Sequence, residues 1–282
     1  GQNINIMEIR PKDERKTILL DGNEEASNSI LSAKIQNLHA FFSLLVPDIS
    51  YEERQILDEA LMRTYERFNI TTDNDSLPDP ERPGHYRKMP ILGDLHQELK
   101  NSGPTAQRLC TILGRYVSGS AASFNQPTNV NLDNKYVVLD VSKLTKEMLP
   151  MGIFIALDYV WDKAREDRTS KKVIFMDEGW KLIGPSASQE AAEFALEVFK
   201  VIRGYGGSAV IATQDLNDFL ALGDGKFGKA IINNSKTKIV MKVEKTEAET
   251  LAEALDLTDM EIEQITRMKR GNGLLVANSN HV

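Results

Sequence analysis

Four short apolar runs in the second half of the chain alternate with segments of helical periodicity, and this alternation restricts the fold most strongly. The runs comprise residues 135–140, 172–177, 208–213 and 237–243. Strands that are apolar throughout are typical of a parallel sheet covered by helices on both faces. The sequence therefore predicts an α/β fold with a mainly parallel sheet, and a further run at residues 273–278 is expected to be its last strand.

The first half of the chain has a different pattern. Residues 3–9 alternate polar and apolar side chains, as a short half-buried strand does. Residues 30–116 then carry mainly helical spacing, and Ser50 followed by Glu53 is a capping box that predicts the start of a helix. We therefore predict an all-α insert over residues 30–116. The predicted α/β core comprises the flanking residues, 1–29 and 117–282.

Charge and composition exclude several classes of protein. The 34 Lys and Arg residues and 41 Asp and Glu residues give a net charge of −7, which argues against a whole-surface grip on nucleic acid but allows a local basic lining. The single cysteine, Cys110, excludes an internal disulfide, and four scattered histidines do not favour a structural zinc site. No apolar run approaches the roughly 18 residues of a membrane span. The use of a single cysteine is typical of a protein in the reducing cytoplasm.

Two adjacent acids follow the second apolar run. Asp177 and Glu178 come directly after residues 173–176, so we expect them at the carboxyl end of a strand, where doubly wound sheets bind ligands. A nucleoside triphosphatase uses one such carboxylate for the water shell of Mg²⁺ and the other to orient or deprotonate the attacking water. The alternative is an acidic pair that caps the next helix.

Two further residues are candidates for the same site. Gln214 follows the neighbouring run 208–213, where an amide can sense a γ-phosphate or position water; otherwise it is a turn or capping residue. Arg203 precedes Gly204 near the end of the helix after the acids. Either it is an arginine finger for a neighbouring subunit, or it is a cation favoured by the helix dipole.

The sequence shows no convincing phosphate-binding loop. Residues 223–230 are the only approximate match to G-x-x-x-x-G-K-[ST], and Ala230 stands where the pattern has its Mg²⁺-binding hydroxyl. No predicted strand directly precedes this segment, which also follows the acidic strand. We interpret it as a surface loop leading into a helix, so the sequence carries half of a nucleotide site.

Several motifs resemble the VirB4/TraC family, the hexameric ATPases of type IV secretion and conjugation systems. The sharpest is the Asp177-Glu178-Gly179-Trp180 motif. The other matching segments are residues 4–9, 89–95, 116–120, 124–125, 138–142 and 212–214. The resemblance covers essentially the whole chain. It departs from the family at Gly179, where the family usually has Ala, and in lacking the Walker A loop, which the family places upstream of the strand predicted at residues 3–9.

The resemblance implies a RecA-like P-loop NTPase core with an all-α insertion that binds ATP and Mg²⁺. It implies that Asp177 is the Walker B acid of the Mg²⁺ site, Glu178 the catalytic glutamate and Gln214 the sensor. These three residues would contact the nucleotide and its metal, and Arg203 is placed like the arginine finger of related coupling ATPases. Without its Walker A loop, the chain is expected to be truncated, to bind ATP poorly and to hydrolyse it negligibly.

The resemblance also carries expectations about assembly and location. It implies a hexamer that works with other secretion-system ATPases and inner-membrane components, acts on a DNA or protein substrate, and lies in the cytoplasm at the inner face of the cell membrane. A DNA-translocating coupling ATPase of the same fold would need a basic pore. A non-catalytic docking platform would use the helical insert as its partner surface. A carboxylate-bridged metal hydrolase lacks enough ligands near Asp177.

Overall fold

The structure is a computed structural model, which describes most of the chain and divides it into two compact units. The described ranges are residues 3–10, 29–131, 134–184, 187–214, 216–277 and 280–281. The first unit comprises residues 1–174 and 201–209, and the second comprises residues 175–200 and 210–282. No helix in these described ranges is both long and apolar enough to cross a membrane.

The first unit is mainly helical, as predicted for its first half. Its helices are α1 (Ile30–Leu45), α2 (Tyr51–Glu66), α3 (Leu92–Lys100), α4 (Gln107–Val117) and α5 (Leu149–Arg165). The predicted capping box starts α2: the Ser50 hydroxyl accepts from the Glu53 N–H at 3.1 Å, and the Glu53 carboxylate accepts from the Ser50 N–H at 2.9 Å. The latter bond, together with an ion pair to Arg108 of α4, lowers the pKa of Glu53.

Residues 3–9 contain a turn at residues 6–7 and no strand, so the prediction of a strand there is wrong. The Asn5 side chain accepts the N–H of Met7 at 3.1 Å and donates to the Pro90 carbonyl at 2.8 Å. An asparagine that bonds its own neighbouring backbone favours a turn over an extended chain. The buried Tyr65 hydroxyl of α2 donates to the Met7 carbonyl at 2.5 Å and so holds this turn against the helices.

Two of the segments that resemble the VirB4/TraC family have structural roles in this unit. The Asp94 carboxylate accepts the N–H of Ile91 at 2.9 Å and caps the start of α3. The Asn125 side chain accepts the N–H of Gly93 at 2.7 Å and donates to the Val117 carbonyl at 3.2 Å. Residues 89–95 and 124–125 therefore join the start of α3 to the end of α4.

A buried ion pair connects α1 to α5. The Lys34 ammonium lies 2.8 Å from the Asp158 carboxylate, and their side chains are only 5% and 1% exposed. Asn37, one turn after Lys34, donates to the other carboxylate oxygen at 3.2 Å. A buried ion pair costs desolvation of both groups, so losing either member leaves an uncompensated charge in the interior.

We predict that Asp158→Ala lowers the free energy of unfolding by about 3–5 kcal/mol, because Lys34 is left buried without its counter-ion. The double variant Lys34→Met with Asp158→Leu replaces both charges by apolar groups and should recover most of this loss. Chemical denaturation followed by circular dichroism measures both.

The control for this prediction is Glu263→Ala, which breaks the exposed Glu263–Arg267 pair and should change stability by less than about 1 kcal/mol. Equal losses for Asp158→Ala and Glu263→Ala would contradict the importance of the buried pair.

Two strands pair in parallel, and the division of the chain into units falls within each of them. They are β1 (Lys172–Met176) and β2 (Gly207–Ile211), which form a two-stranded sheet. The Lys172 N–H donates to the Gly206 carbonyl at 3.3 Å and the Ala212 N–H donates to the Met176 carbonyl at 2.9 Å, so both strands run in the same direction.

Neither the first apolar run, residues 135–140, nor the exposure of β1 fully matches the predicted sheet. Residues 135–140 form no strand, because no neighbouring strand among the described residues pairs with their backbone. Within that run, Val138 is 67% exposed. Phe175 of β1 is 77% exposed, so this apolar strand is not covered on both faces by the described residues.

The second unit contains the remaining helices and an antiparallel sheet. Its further elements are α6 (Gln189–Val201, whose last residue belongs to the first unit), α7 (Leu216–Phe219), α8 (Lys226–Asn234), β3 (Thr237–Met241), α9 (Lys245–Leu255), α10 (Asp259–Arg267), β4 (Gly273–Ala277) and β5 (Asn280–His281). The sheet order is β3-β4-β5. One face packs on α9 and α10 through a core that includes Val240, Leu255 and Ile265.

The last predicted strand is present but runs antiparallel to its neighbour. Met241, at the end of β3, pairs with Gly273, at the start of β4. Two helices, α9 and α10, connect β3 to β4, and they bring the chain back to the carboxyl end of β3. The next strand must then run back along β3, whereas a single crossover helix favours a parallel neighbour.

Candidate functional site

The two predicted acids lie at the carboxyl end of β1, as expected. Asp177 is exposed and Glu178 is partly exposed. The Glu178 N–H donates to the Asp177 carboxylate at 3.0 Å. Glu178 itself has a φ of +56°, a left-handed backbone conformation that costs a residue with a side chain roughly 1–2 kcal/mol.

The predicted glutamine contacts the second acid directly. The Gln214 side-chain amide donates to Oε1 of Glu178 at 2.7 Å. This contact is possible because Ala212 extends the pairing of β2 with Met176, so that the chain after each strand emerges at the same end. Asp177, Glu178 and Gln214 therefore form one exposed cluster in the second unit.

Lys181 is a member of the site that the sequence did not identify. Its ammonium lies 3.7 Å from Oε2 of Glu178, so each carboxylate oxygen of Glu178 faces a different polar side chain. Lys181 lies in the 3₁₀ turn Gly179–Leu182, three residues after the acid. That spacing could have indicated the contact, because residues three apart in a helical turn lie on the same side.

Gly179 is packed tightly beneath the acids. A Cβ at this position would lie 2.6 Å from Cδ1 of Ile211 and 2.9 Å from Sδ of Met176. The sequence suggested that Gly in place of Ala is a minor change. The side chains at the ends of β1 and β2 occupy the space of that methyl, so an alanine here requires them to shift.

The approximate phosphate-loop match is a turn at residues 223–225 followed by the first turns of α8, in which Phe227 and Gly228 are buried, so only its first part is the loop interpreted from the sequence. Within the described residues, segment 223–230 follows helix α7 and leads into α8, with no strand directly before it. A Cβ on Gly228 would lie 2.4 Å from the Phe219 carbonyl, so this glycine permits α8 to pack closely on α7.

Arg203 lies in the other unit. It is exposed in the 3₁₀ turn Ile202–Tyr205, and its carbonyl accepts the N–H of Gly206, which has a φ of +72°. The structure therefore brings Asp177, Glu178 and Gln214 together, while Arg203 occupies a separate exposed turn.

The carboxylate oxygens of Asp177 and Glu178 are too few to hold Mg²⁺ alone, but they fit the ion when a phosphate supplies further ligands. No cluster of three or more His, Cys, Asp or Glu side chains suited to a metal occurs in the part of the chain that the structure describes. Mg²⁺ in NTPases is held by one or two carboxylates, waters and substrate phosphates rather than by a cage of protein ligands. Exposed Asp177, with Glu178 beside it, meets that requirement.

A parallel strand pair ending in two acids and a glutamine is an arrangement typical of P-loop NTPase domains. The family model described as "TraG P-loop domain" matches residues 85–277, and the chain belongs to this family. The solved structure of VirB4 from Thermoanaerobacter pseudethanolicus matches 100% of this chain and 75% of that chain, with a TM-score of 0.83 and 28% sequence identity. No curated protein sequence matches the chain significantly.

These comparisons confirm the predicted α/β RecA-like fold and the resemblance to VirB4/TraC-type ATPases of type IV secretion. At the level of the family, they support a type IV secretion or conjugation ATPase, and nucleotide binding is what a P-loop domain implies. The boundaries of the helical insert and the roles of the site residues remain predictions.

We predict that Gly179→Ala lowers the free energy of unfolding by about 1–3 kcal/mol, because its methyl would overlap Ile211. Ile211→Ala removes the overlapping atoms, so the double variant should be less destabilised than the sum of the two single variants. Urea denaturation of all three variants measures this coupling.

Gly204→Ala is the control, since no atom lies within 4 Å of the position of its Cβ and no steric cost is expected. Strictly additive effects of Gly179→Ala and Ile211→Ala would contradict the packing argument.

Proposed function

We propose that the chain is part of an ATP-hydrolysing motor that energises assembly of a type IV secretion or conjugation apparatus and substrate transfer through it. The observation that carries the proposal is the 2.7 Å hydrogen bond between Gln214 and Glu178, formed directly beside Asp177 at the ends of two parallel strands. Membership of the TraG P-loop domain family and similarity to VirB4 support the choice of system.

Each residue of the cluster has a proposed role. Asp177 binds the water shell of Mg²⁺, and the ion neutralises the charge of the phosphates when it is bound. Glu178 accepts a proton from the attacking water. Gln214 holds one carboxylate oxygen of Glu178 and senses the nucleotide from the end of β2, while Lys181 faces the other oxygen.

The phosphate-binding loop required by this mechanism is not formed by any part of the described ranges. We therefore expect this chain alone to bind ATP weakly and to hydrolyse it negligibly. Activity is expected from the full-length protein, in a hexamer that contacts other secretion ATPases and inner-membrane components at the inner face of the cell membrane. The nucleotide would lie between subunits, where the exposed Arg203 of one subunit reaches the neighbouring site.

We predict that Glu178→Gln in the full-length protein retains ATP binding and lowers the turnover rate by about 10²–10⁴. Glutamine keeps the shape of the side chain and the oxygen that accepts from Gln214, but it is too weak a base to take a proton from water. Steady-state phosphate release and binding of a fluorescent ATP analogue measure the two effects separately.

The matched control is Glu197→Gln, which makes the same chemical change at an exposed position of α6 and should leave turnover unchanged. Turnover of Glu178→Gln near that of the unaltered protein would remove Glu178 from the catalytic role. Absence of ATPase activity from the unaltered full-length protein would favour a docking platform.

We predict that Arg203→Ala lowers turnover by about 10³–10⁵ in the assembled state only, because an arginine finger acts on a neighbouring subunit. Turnover measured across a dilution series, with the oligomer followed by light scattering, tests this. Lys200→Ala removes an exposed cation in the last turn of α6 and serves as the control. An equal loss in a proven monomer would rule out action in trans.

A further inference from the structure

Lys172, the first residue of β1, binds backbone carbonyls of two separate segments of the first unit. Its ammonium donates to the carbonyls of Asp167 and, at 3.1 Å, Ser170, in the loop after α5. It also donates to the carbonyl of Tyr205 at 2.8 Å. An ammonium has three N–H donors, so each of these carbonyls can accept one of them. Lys172 therefore joins this loop to the exposed turn that contains Arg203.

The backbone of Lys172 binds the next carbonyl of the same segment. The Lys172 N–H donates to the Gly206 carbonyl at 3.3 Å, directly after the carbonyl of Tyr205 that the ammonium binds. One residue thus holds two consecutive carbonyls at the end of the Arg203 turn, residues 202–205. The Arg203 carbonyl accepts the N–H of Gly206 at 3.1 Å, so this fixed end also restrains the backbone of Arg203.

The loop after α5 has a shape that brings its carbonyls to one ammonium. The Asp167 carboxylate accepts the hydroxyl and the N–H of Thr169, at 2.6 and 2.8 Å, and these bonds lower the pKa of Asp167. An aspartate that binds the backbone two residues ahead forms a tight turn. A Cβ on Gly206 would lie 2.7 Å from the Arg168 carbonyl, so this loop packs directly on the end of the Arg203 turn.

Apolar and aromatic contacts hold both sides of the Arg203 turn. Ile202, the residue before Arg203, is 3% exposed. The ring of Tyr205 meets the edge of Trp161 of α5 with 5.1 Å between ring centroids, and the Arg168 guanidinium lies 4.3 Å from the centroid of Tyr205. Arg203 is exposed between these two anchors. Its backbone is therefore held on both sides, while its side chain is accessible.

The ammonium is held at a cost in stability. Burial lowers the pKa of Lys172, because desolvation disfavours the charged form, while the Asp167 carboxylate opposes this shift. Lysine is also depleted in strands relative to β-branched residues. If strand formation alone mattered, an apolar residue would be favoured at this position. The contacts of the ammonium therefore indicate a function beyond the strand itself.

We infer that Lys172 positions Arg203 for the transition state of ATP hydrolysis in the neighbouring subunit. An arginine finger must reach the transferring phosphate at hydrogen-bond distance, and an error of about 1 Å can lower the rate about 10²-fold. A turn held by Lys172 keeps this distance constant, whereas a loose turn would vary it. The inference rests on the proposed role of Arg203, and it assigns Lys172 an effect through that residue rather than a contact with the nucleotide.

The test is a double-mutant cycle of Lys172 and Arg203 in the full-length protein, with steady-state turnover of ATP measured in the assembled state. Lys172→Met keeps an unbranched side chain and removes the three donors. It should lower kcat by about 10- to 100-fold and change KM for ATP by less than about twofold, because the finger acts in the transition state. In the Arg203→Ala background, the same substitution should cause no further loss, since no finger remains to be positioned.

Lys171→Met is the matched control, because it removes an exposed lysine at the preceding position and should leave turnover unchanged. Arg168→Gln is a milder variant that removes the cation over Tyr205. It should lower kcat by about 2- to 10-fold, again only when Arg203 is present, and it tests the inference even if Lys172→Met does not fold. Circular dichroism checks the folding of each variant, and light scattering checks its assembly.

The cycle separates positioning from a general structural effect. Equal fractional losses with and without Arg203 would overturn the inference, because a structural defect would add to the loss of the finger. Full turnover of Lys172→Met, with loss in Arg203→Ala, would overturn it and leave the proposed function intact. Full turnover of Arg203→Ala would overturn both the finger and this inference. Absence of ATPase activity from the unaltered full-length protein would contradict the proposed function and, with it, this inference.

Discussion

The parallel pairing of β1 with β2 is the constraint on which the candidate site depends. Both strands end at the same side of their sheet, and the pairing continues one residue further through Ala212 and Met176. Glu178 and Gln214 are 36 residues apart in the chain and meet only because of this register. A slip by one residue would turn the following side chains to the opposite face and separate the amide from the carboxylate.

The first unit depends on buried polar contacts of a different kind. Lys34 and Asp158 join α1 to α5, while the side chains of Asn5 and Asn125 bind backbone groups of the segment that starts α3. Such contacts cost stability if they are only partly made, and they fix one arrangement when they are complete. Residues 89–95 and 124–125, which resemble a family signature in the sequence, therefore hold helices together through hydrogen bonds.

Most helices and the position of the two acids could be predicted from the sequence, because local patterns encode them. The capping box at Ser50 and the apolar run before Asp177 each specify one element without reference to the rest of the chain. The error at residues 3–9 is local, because the Asn5 side chain bonds the nearby Met7 N–H and favours a turn. The error at residues 135–140 has a non-local origin, since a strand exists only if a neighbour pairs with it. The antiparallel β4 and the contact of Lys181 with Glu178 likewise depend on how the chain returns in three dimensions.

The left-handed backbone at Glu178 has an evolutionary consequence. Glycine adopts this conformation without steric cost, whereas glutamate pays for it at the tip of β1. Selection for thermal stability alone would thus drive position 178 towards glycine and erase the carboxylate. If Glu178 has its proposed catalytic role, this backbone geometry is a cost in stability that the chemistry requires, and laboratory evolution of a more stable domain should hold this position fixed.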